Sequence, residues 1–155
     1  MSEAQTTEAL KLWVVLSRTV RALTTHAEQD VAQHGLTLAE FGALEALYHK
    51  GPLLLGELQR KILVSSGGMT YLIDRLAKRG LVGRRPCPED GRARYAVLTP
   101  EGERLVARIF PTHAEAIERA VRGISPEERR RATGMIKRLG LEAEGLLGAK
   151  VKVQE

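Results

Sequence analysis

Nine basic residues lie close together in the middle of the chain, between Arg60 and Tyr95, and only three acidic residues accompany them. The basic residues are Arg60, Lys61, Arg75, Lys78, Arg79, Arg84, Arg85, Arg92 and Arg94. This window carries a net charge of +6, whereas the whole 155-residue chain carries +5. Positive charge focused in a short segment is typical of a protein that binds a polyanion. A solvated surface accounts for the charge equally well, so the secondary-structure elements around this window must decide between the two interpretations.

Other residue types that carry chemistry are sparse. The four histidines, His26, His34, His49 and His113, do not show the close spacing of a metal site. No glycine-rich phosphate loop follows a strand, and the single cysteine, Cys87, has no catalytic histidine pattern around it. We therefore expect no enzyme activity, no metal and no cofactor.

The single cysteine excludes a disulfide framework within the chain and is typical of a reducing compartment. No stretch approaches the roughly 18 consecutive apolar residues of a membrane span, and residues 1–7 do not resemble a signal peptide. We expect a soluble, cytoplasmic protein with no membrane partner.

The N-terminal part of the chain has the periodicity of α-helices. Over residues 9–34, apolar side chains recur at alternating steps of three and four, which predicts one long helix ending at Gly35. The apolar stripe consists of Trp13, Leu16, Val20, Leu23, Ala27 and Val31. Thr37 and Glu40 form a capping box that begins a second helix, which stops at Gly51-Pro52.

The basic window begins with two short helices. A third helix is predicted over residues 54–62, and Ser65 or Ser66 can cap a fourth helix that runs to Arg79. The apolar residues of this fourth helix are Met69, Leu72, Ile73 and Leu76. Two short helices joined by a tight turn indicate a helix-turn-helix.

A basic β-hairpin follows the fourth helix. Residues 81–85 and 94–98 are short extended runs, and Asp90-Gly91 between them is a strong turn signal. Arginines occupy both runs and the turn, so a positively charged ribbon stands beside the helix-turn-helix. This is the outline of a winged helix.

The C-terminal part is again helical. Thr99 caps a helix that runs to about Arg122, and Pro111 inside it predicts a kink or a local break. Ser125 caps a last helix, which carries apolar residues to Leu147.

The predicted fold is therefore mainly α: a winged helix-turn-helix with a two-stranded β wing, flanked by long N- and C-terminal helices. The segments are residues 1–35, 36–99 and 100–155. The long helices have apolar stripes too extensive for the small winged core to cover, so we expect them to form a two-fold homodimer. Up-and-down packing within one chain is the alternative.

One segment resembles a known family. The run from Ile62 to Leu76, with Gly80-Leu81-Val82 after it, resembles the recognition helix of the MarR family. Residues 84–92 resemble that family's wing, and residues 98–102 resemble its exit from strand to helix. The strong match covers residues 53–102.

The resemblance implies a dimeric transcriptional regulator that acts as a repressor. Its binding to DNA would block transcription, and a small aromatic or phenolic effector would release it. Each winged lobe would bind half of a pseudo-palindromic operator in duplex DNA. Two recognition helices in successive major grooves must lie about 34 Å apart.

The candidate DNA-binding residues lie on the start of the fourth helix and on the wing. They are Ser65, Ser66, Gly67, Gly68, Thr70, Tyr71, Arg75, Arg84, Arg85, Arg92 and Arg94. Tyr71 either contacts DNA or is partly buried against the wing. Arg75 either reaches the DNA backbone or pairs with Asp74 or a wing carboxylate.

Two positions depend on the resemblance. It implies that Asp90 braces the wing turn by pairing with a nearby arginine. Arg92, near the wing tip, is the best candidate for insertion into the minor groove, where negative potential is focused. The commoner family wing has arginine at position 91, where this chain has Gly91.

Other interpretations stay open. Trp13, His26 and Tyr48 are candidates for an effector pocket or are ordinary packing residues. Arg84 and Arg85 can lower the pKa of Cys87 and favour a reactive thiolate, so redox sensing through Cys87 is one alternative. A winged-helix module that binds a protein rather than DNA is another.

Overall fold

The computed structural model describes residues 3–62 and 68–151, with side chains through Leu147. In chain order the elements are α1 (Glu3–Ala32), α2 (Leu38–Lys50), β1 (Leu53–Leu54), α3 (Leu55–Lys61), α4 (Met69–Lys78), β2 (Val82–Pro86), β3 (Arg94–Leu98), α5 (Pro100–Ala120) and α6 (Pro126–Val151). One compact unit extends to Ala120, and a second, which contains α6, begins at Val121. None of the described helices is long and apolar enough to cross a membrane.

The capping box predicted for α2 is confirmed. The amide of Glu40 donates to Oγ1 of Thr37 over 3.2 Å, and the amide of Thr37 donates to Oε2 of Glu40 over 2.8 Å. Gly35, just before this box, has a φ of 67°, a left-handed conformation that glycine adopts without steric cost. The α1–α2 corner therefore forms where the sequence predicts it.

The sheet has three strands in the order β1-β3-β2, all antiparallel. The hairpin of β2 and β3 is confirmed, with Val82 opposite Leu98 and Pro86 opposite Arg94. A third strand that the sequence did not indicate joins this hairpin, because Leu53 and Leu54 pair with β3. Two residues are too few to show an alternating pattern, so only the pairing with β3 reveals this strand.

Helix α5 runs without a break through Pro111, which rules out the local break, while a kink stays a prediction. Val106, Ile109 and His113 are all buried on the two sides of the proline. The hydroxyl of Thr112 donates to the Ile109 carbonyl over 2.8 Å. Packing on both sides of Pro111 therefore outweighs the lost main-chain hydrogen bond.

The core lies where α2, α3, α4 and α5 meet the sheet and the end of α1. The side chains with almost no exposure include Val31, Phe41, Leu44, Leu58, Ile73, Leu76, Val106 and Ile109. Both helices of the helix-turn-helix insert aliphatic residues into this cluster. The core therefore fixes α4 and the hairpin relative to α2.

Candidate nucleic-acid interface

Helix α4 has a buried apolar face and an exposed polar face. The apolar residues predicted to face inward, Met69, Leu72, Ile73 and Leu76, are all buried. Thr70 and Tyr71 are exposed, and Tyr71 has 67% of its surface accessible. The alternative in which Tyr71 is partly buried against the wing is therefore wrong, and its phenol is available to a partner.

The described part of α4 begins at Met69, with Gly68 as N-cap, and the predicted serine caps lie outside the described residues. Glycine is accepted at this position, and the helix starts where Met69 enters the core. Ser65, Ser66 and Gly67 lie outside the described residues. The partial positive charge of a helix N-terminus favours a phosphate.

The wing turn is braced by main-chain groups. Oδ1 of Asp90 accepts from the Arg92 amide over 2.9 Å. Nη1 of Arg94 donates to the carbonyls of Gly91 (2.8 Å) and Ala93 (2.9 Å). Asp90 therefore has the expected bracing contact, but its recorded partner is an amide and not an arginine side chain. Arg94 folds back and supports the turn.

An ion pair joins the wing to α4. Nη2 of Arg84 on β2 lies 2.6 Å from Oδ1 of Asp74 on α4. Arg84, one of the candidate DNA-binding residues, is therefore engaged by a carboxylate. Arg85 and Arg92 are exposed on the same hairpin.

Arg75 has a partner that the sequence did not indicate. Its Nη2 lies 3.2 Å from Oε1 of Glu40 on α2, and Glu40 is almost completely buried. The Arg75 guanidinium also lies 5.9 Å from the centre of the Tyr71 ring. Neither Asp74 nor a wing carboxylate is its recorded partner. Glu40 was recognised only as a cap, because its burial depends on tertiary packing.

A basic groove of about 360 Å³ lies between α3 and the wing. It is lined by Leu54, Leu55, Gly56, Glu57, Arg60, Arg92, Ala93 and Arg94. Arg60 was counted in the basic window but not among the site residues. The groove places it beside Arg92, which adds α3 to the cationic surface.

The three effector candidates do not form one pocket within the described chain. Trp13 and His26 are both on α1 and are 13 residues apart, which is about 20 Å along a helix. Trp13 is 68% exposed, and His26 lines a shallow depression that also contains Arg18 and Arg21. Tyr48 on α2 is 41% exposed and makes an edge contact with His49.

Cys87 is buried at the end of β2, with 7% of its surface accessible. The charge of the Cys87 thiolate, followed by a hydrogen bond to its sulfur, raises the pKa of Tyr95. Burial keeps the sulfur away from dissolved oxidants, which argues against the redox alternative.

Comparisons with known proteins agree with this geometry. Residues 34–93 match the MarR family. The chain is 41% identical to the HTH-type transcriptional regulator MhqR of Bacillus subtilis, over 90% of this chain and 96% of that protein.

Two solved structures from Streptomyces coelicolor have the same fold. Sco3205, a MarR family regulator crystallised in complex with DNA, superposes with a TM-score of 0.79 at 27% identity and 88% coverage of both chains. AbsC, another MarR family regulator, superposes with a TM-score of 0.81 at 22% identity, over 94% of this chain and 97% of that one. The chain therefore belongs to the MarR family of winged helix-turn-helix, DNA-binding transcriptional regulators.

Proposed function

We propose that this regulator is a cytoplasmic homodimer that represses transcription by binding a pseudo-palindromic operator. The observation that carries the proposal is the 2.6 Å contact between Asp74 and Arg84, because it joins helix α4 to the cationic hairpin. A helix for the major groove and a basic ribbon for the flanking backbone are thereby held in one lobe.

The exposed residues divide into two roles. Thr70 and Tyr71 lie at the start of α4, where hydroxyl groups can reach base edges or phosphates. Arg85 and Arg92 on the wing suit phosphate neutralisation and, for Arg92, insertion into the minor groove. Arg60 extends the basic surface from the wing to α3. Arg84 and Arg94 contribute mainly by holding the wing in place.

Dimerisation is proposed from the apolar surface of the flanking segments, residues 1–35 and 100–155, around the winged core of residues 36–99. Large apolar side chains are exposed along α1 and, separately, along α6. They are Leu10, Leu12, Trp13, Val14, Val15, Val20, Met135, Ile136, Leu139, Leu141, Leu146 and Leu147. So much exposed apolar surface is unfavourable in water, and a second copy would cover it.

Release by a small aromatic or phenolic anion is the finer part of the proposal. The depression around His26 carries Arg18 and Arg21, whose charges suit a carboxylate or phenolate. Salicylate is a suitable probe, with cyclohexanecarboxylate as a control of equal charge that lacks the aromatic ring. Salicylate should weaken DNA binding by the wild type and not by a His26→Ala variant.

The central test is binding to the DNA upstream of its own gene, measured by fluorescence anisotropy against a scrambled duplex. Affinity should fall steeply as salt rises, because each phosphate contact releases counterions and adds about −0.9 to the slope of log K against log salt. Arg92→Ala should weaken binding and reduce that slope, whereas Arg108→Ala removes an exposed charge outside the basic window and should not. Salt-insensitive or absent binding would reject DNA recognition and favour a protein partner for the winged lobe.

A further inference from the structure

We propose that Glu40, a buried residue of α2, is a positioning residue that sets the orientation of the recognition helix α4. The inference rests on the DNA-binding function proposed above and adds a residue that does not itself face DNA. Glu40 is 1% exposed, which is unusual for a carboxylate. Its contacts extend from the α1–α2 corner to the C-terminal end of α4.

The two oxygens of Glu40 have different partners. Oε2 accepts the Thr37 amide of the capping box over 2.8 Å and lies 3.8 Å from Nη1 of Arg79. Oε1 lies 3.2 Å from Nη2 of Arg75. Nη1 of Arg79 also donates to the Gly35 carbonyl over 2.9 Å. Arg75 lies in the last turn of α4 and Arg79 is its C-cap, so the C-terminal end of α4 is held at one corner.

Capping alone does not require a charge at this position. A glutamine accepts the same amide hydrogen bond in a capping box, and a buried carboxylate is costly unless cations compensate it. Oε1 makes no hydrogen bond of good geometry with the described residues, so its compensation there comes from the charge of Arg75. The cap does not need the negative charge of Glu40, and this charge therefore serves to hold Arg75 of α4.

The same contact leads to the exposed face of α4. Arg75, held by Glu40, lies 5.9 Å from the centre of the Tyr71 ring, one turn nearer the start of the helix. Tyr71 is largely exposed and available to DNA. Glu40, Arg75 and Tyr71 thus form a chain of contacts from the core to the proposed reading surface.

Coulomb attraction and positioning predict opposite results for Glu40→Gln. Removing a negative charge beside two arginines makes the lobe more positive, so attraction alone predicts tighter binding to any DNA. Loss of positioning predicts weaker binding to the operator with unchanged or tighter binding to a scrambled duplex. The ratio of the two affinities separates these effects.

The experiment uses the full chain, the duplex from upstream of its own gene and a scrambled duplex, across a salt series. Glu128→Gln is the matched control, because Glu128 occupies the same capping-box position opposite Ser125 at the start of α6. We expect Glu40→Gln to lower the specificity ratio about tenfold, the size of losing one base contact. The salt slope of Glu40→Gln should be no shallower than that of the wild type. Glu128→Gln should leave the specificity ratio unchanged.

If urea titrations show that Glu40→Gln does not fold, a second variant tests the proposal. Arg75→Gln alters an exposed side chain and should lower the specificity ratio with the salt slope unchanged. If Arg75→Gln lowers the affinity for both duplexes equally and makes the salt slope shallower, Arg75 is a phosphate ligand and the proposal is overturned. A specificity ratio in Glu40→Gln equal to that of the wild type would also overturn it. If the wild type itself does not distinguish the two duplexes, the proposed DNA-binding function fails instead.

Hydrogen exchange provides a readout that needs no DNA. Amides of α4 should exchange faster in Glu40→Gln than in Glu128→Gln, because only the first variant releases Arg75 and Arg79. Equal protection of α4 in both variants would overturn the proposal.

Discussion

Nδ1 of His113 on α5 lies 2.8 Å from Oδ2 of Asp30 on α1, and both side chains are largely shielded from water. The His113 ring also packs against Phe41 of α2, with 4.6 Å between ring centres. One polar contact therefore joins α1 and α5 beside the core of the winged lobe. Motion of α1 relative to that lobe must disturb it.

The first prediction concerns this contact. Asp30→Ala leaves a buried imidazole without its partner, so the free energy of unfolding should fall by about 1–3 kcal/mol. Urea titration followed by circular dichroism measures the loss. Glu28→Ala alters an exposed carboxylate on the same helix and should change stability little. Equal effects of the two substitutions would contradict a structural role for the pair.

The second prediction concerns the start of α5. A Cβ atom at Gly102 would overlap the carbonyl oxygen of Leu81, which is main chain and cannot swing away. Gly102→Ala should therefore destabilise the fold by about 1–3 kcal/mol or more. Gly134→Ala in α6 meets no atom within 4 Å and should raise the melting temperature slightly, since alanine favours helix. If both substitutions change the stability in the same direction, the steric argument is refuted.

The third prediction concerns self-association. Leu139 on α6 is 44% exposed and belongs to the apolar surface assigned to the dimer. Leu139→Glu should shift the protein toward the monomer in analytical ultracentrifugation, because a charge in an apolar interface is costly. Lys137→Glu reverses an exposed charge on the same helix and is the control. A monomeric wild type would remove the basis for a dimer.

The fourth prediction concerns pH and α6. The Ser125 amide, which donates to Oε2 of Glu128 over 2.7 Å, and then the Ser125 side chain lower the pKa of Glu128. A lowered pKa means that this contribution is present at neutral pH and is lost as the pH falls through the folded-state pKa. NMR titration should show Glu128 ionising below ordinary glutamates. Ser125→Ala should raise the pKa of Glu128 part of the way toward that of an ordinary glutamate. An unchanged pKa would contradict the role of the Ser125 side chain.

The fifth prediction concerns Cys87. Cys87→Ala should lower the pKa of Tyr95, because the thiolate charge and the hydrogen bond that raise it are removed. Phenolate absorbance during a pH titration measures the change. Cys87→Ser should respond to hydrogen peroxide like the wild type, with DNA affinity unchanged in both. Loss of binding in the oxidised wild type alone would instead support redox sensing.

Local features were predictable because they depend on neighbours in the chain. The Thr37–Glu40 capping box needs only a spacing of three residues, and the buried face of α4 follows from helical periodicity. The hairpin followed from extended runs around Asp90-Gly91. The charge of the basic window was likewise visible in the residues alone.

The amino-acid sequence by itself determined the order of helices, the hairpin and the location of the surplus charge, because local spacing and residue type decide these. Tertiary structure decided which arginines remain available: Asp74 engages Arg84 and Glu40 engages Arg75, while Arg60 joins the wing groove. It also recruited Leu53-Leu54 as a third strand and kept α5 continuous through Pro111. Partners distant in the chain meet only when the core packs, and burial then makes pairing a carboxylate such as Glu40 far more favourable than leaving it alone.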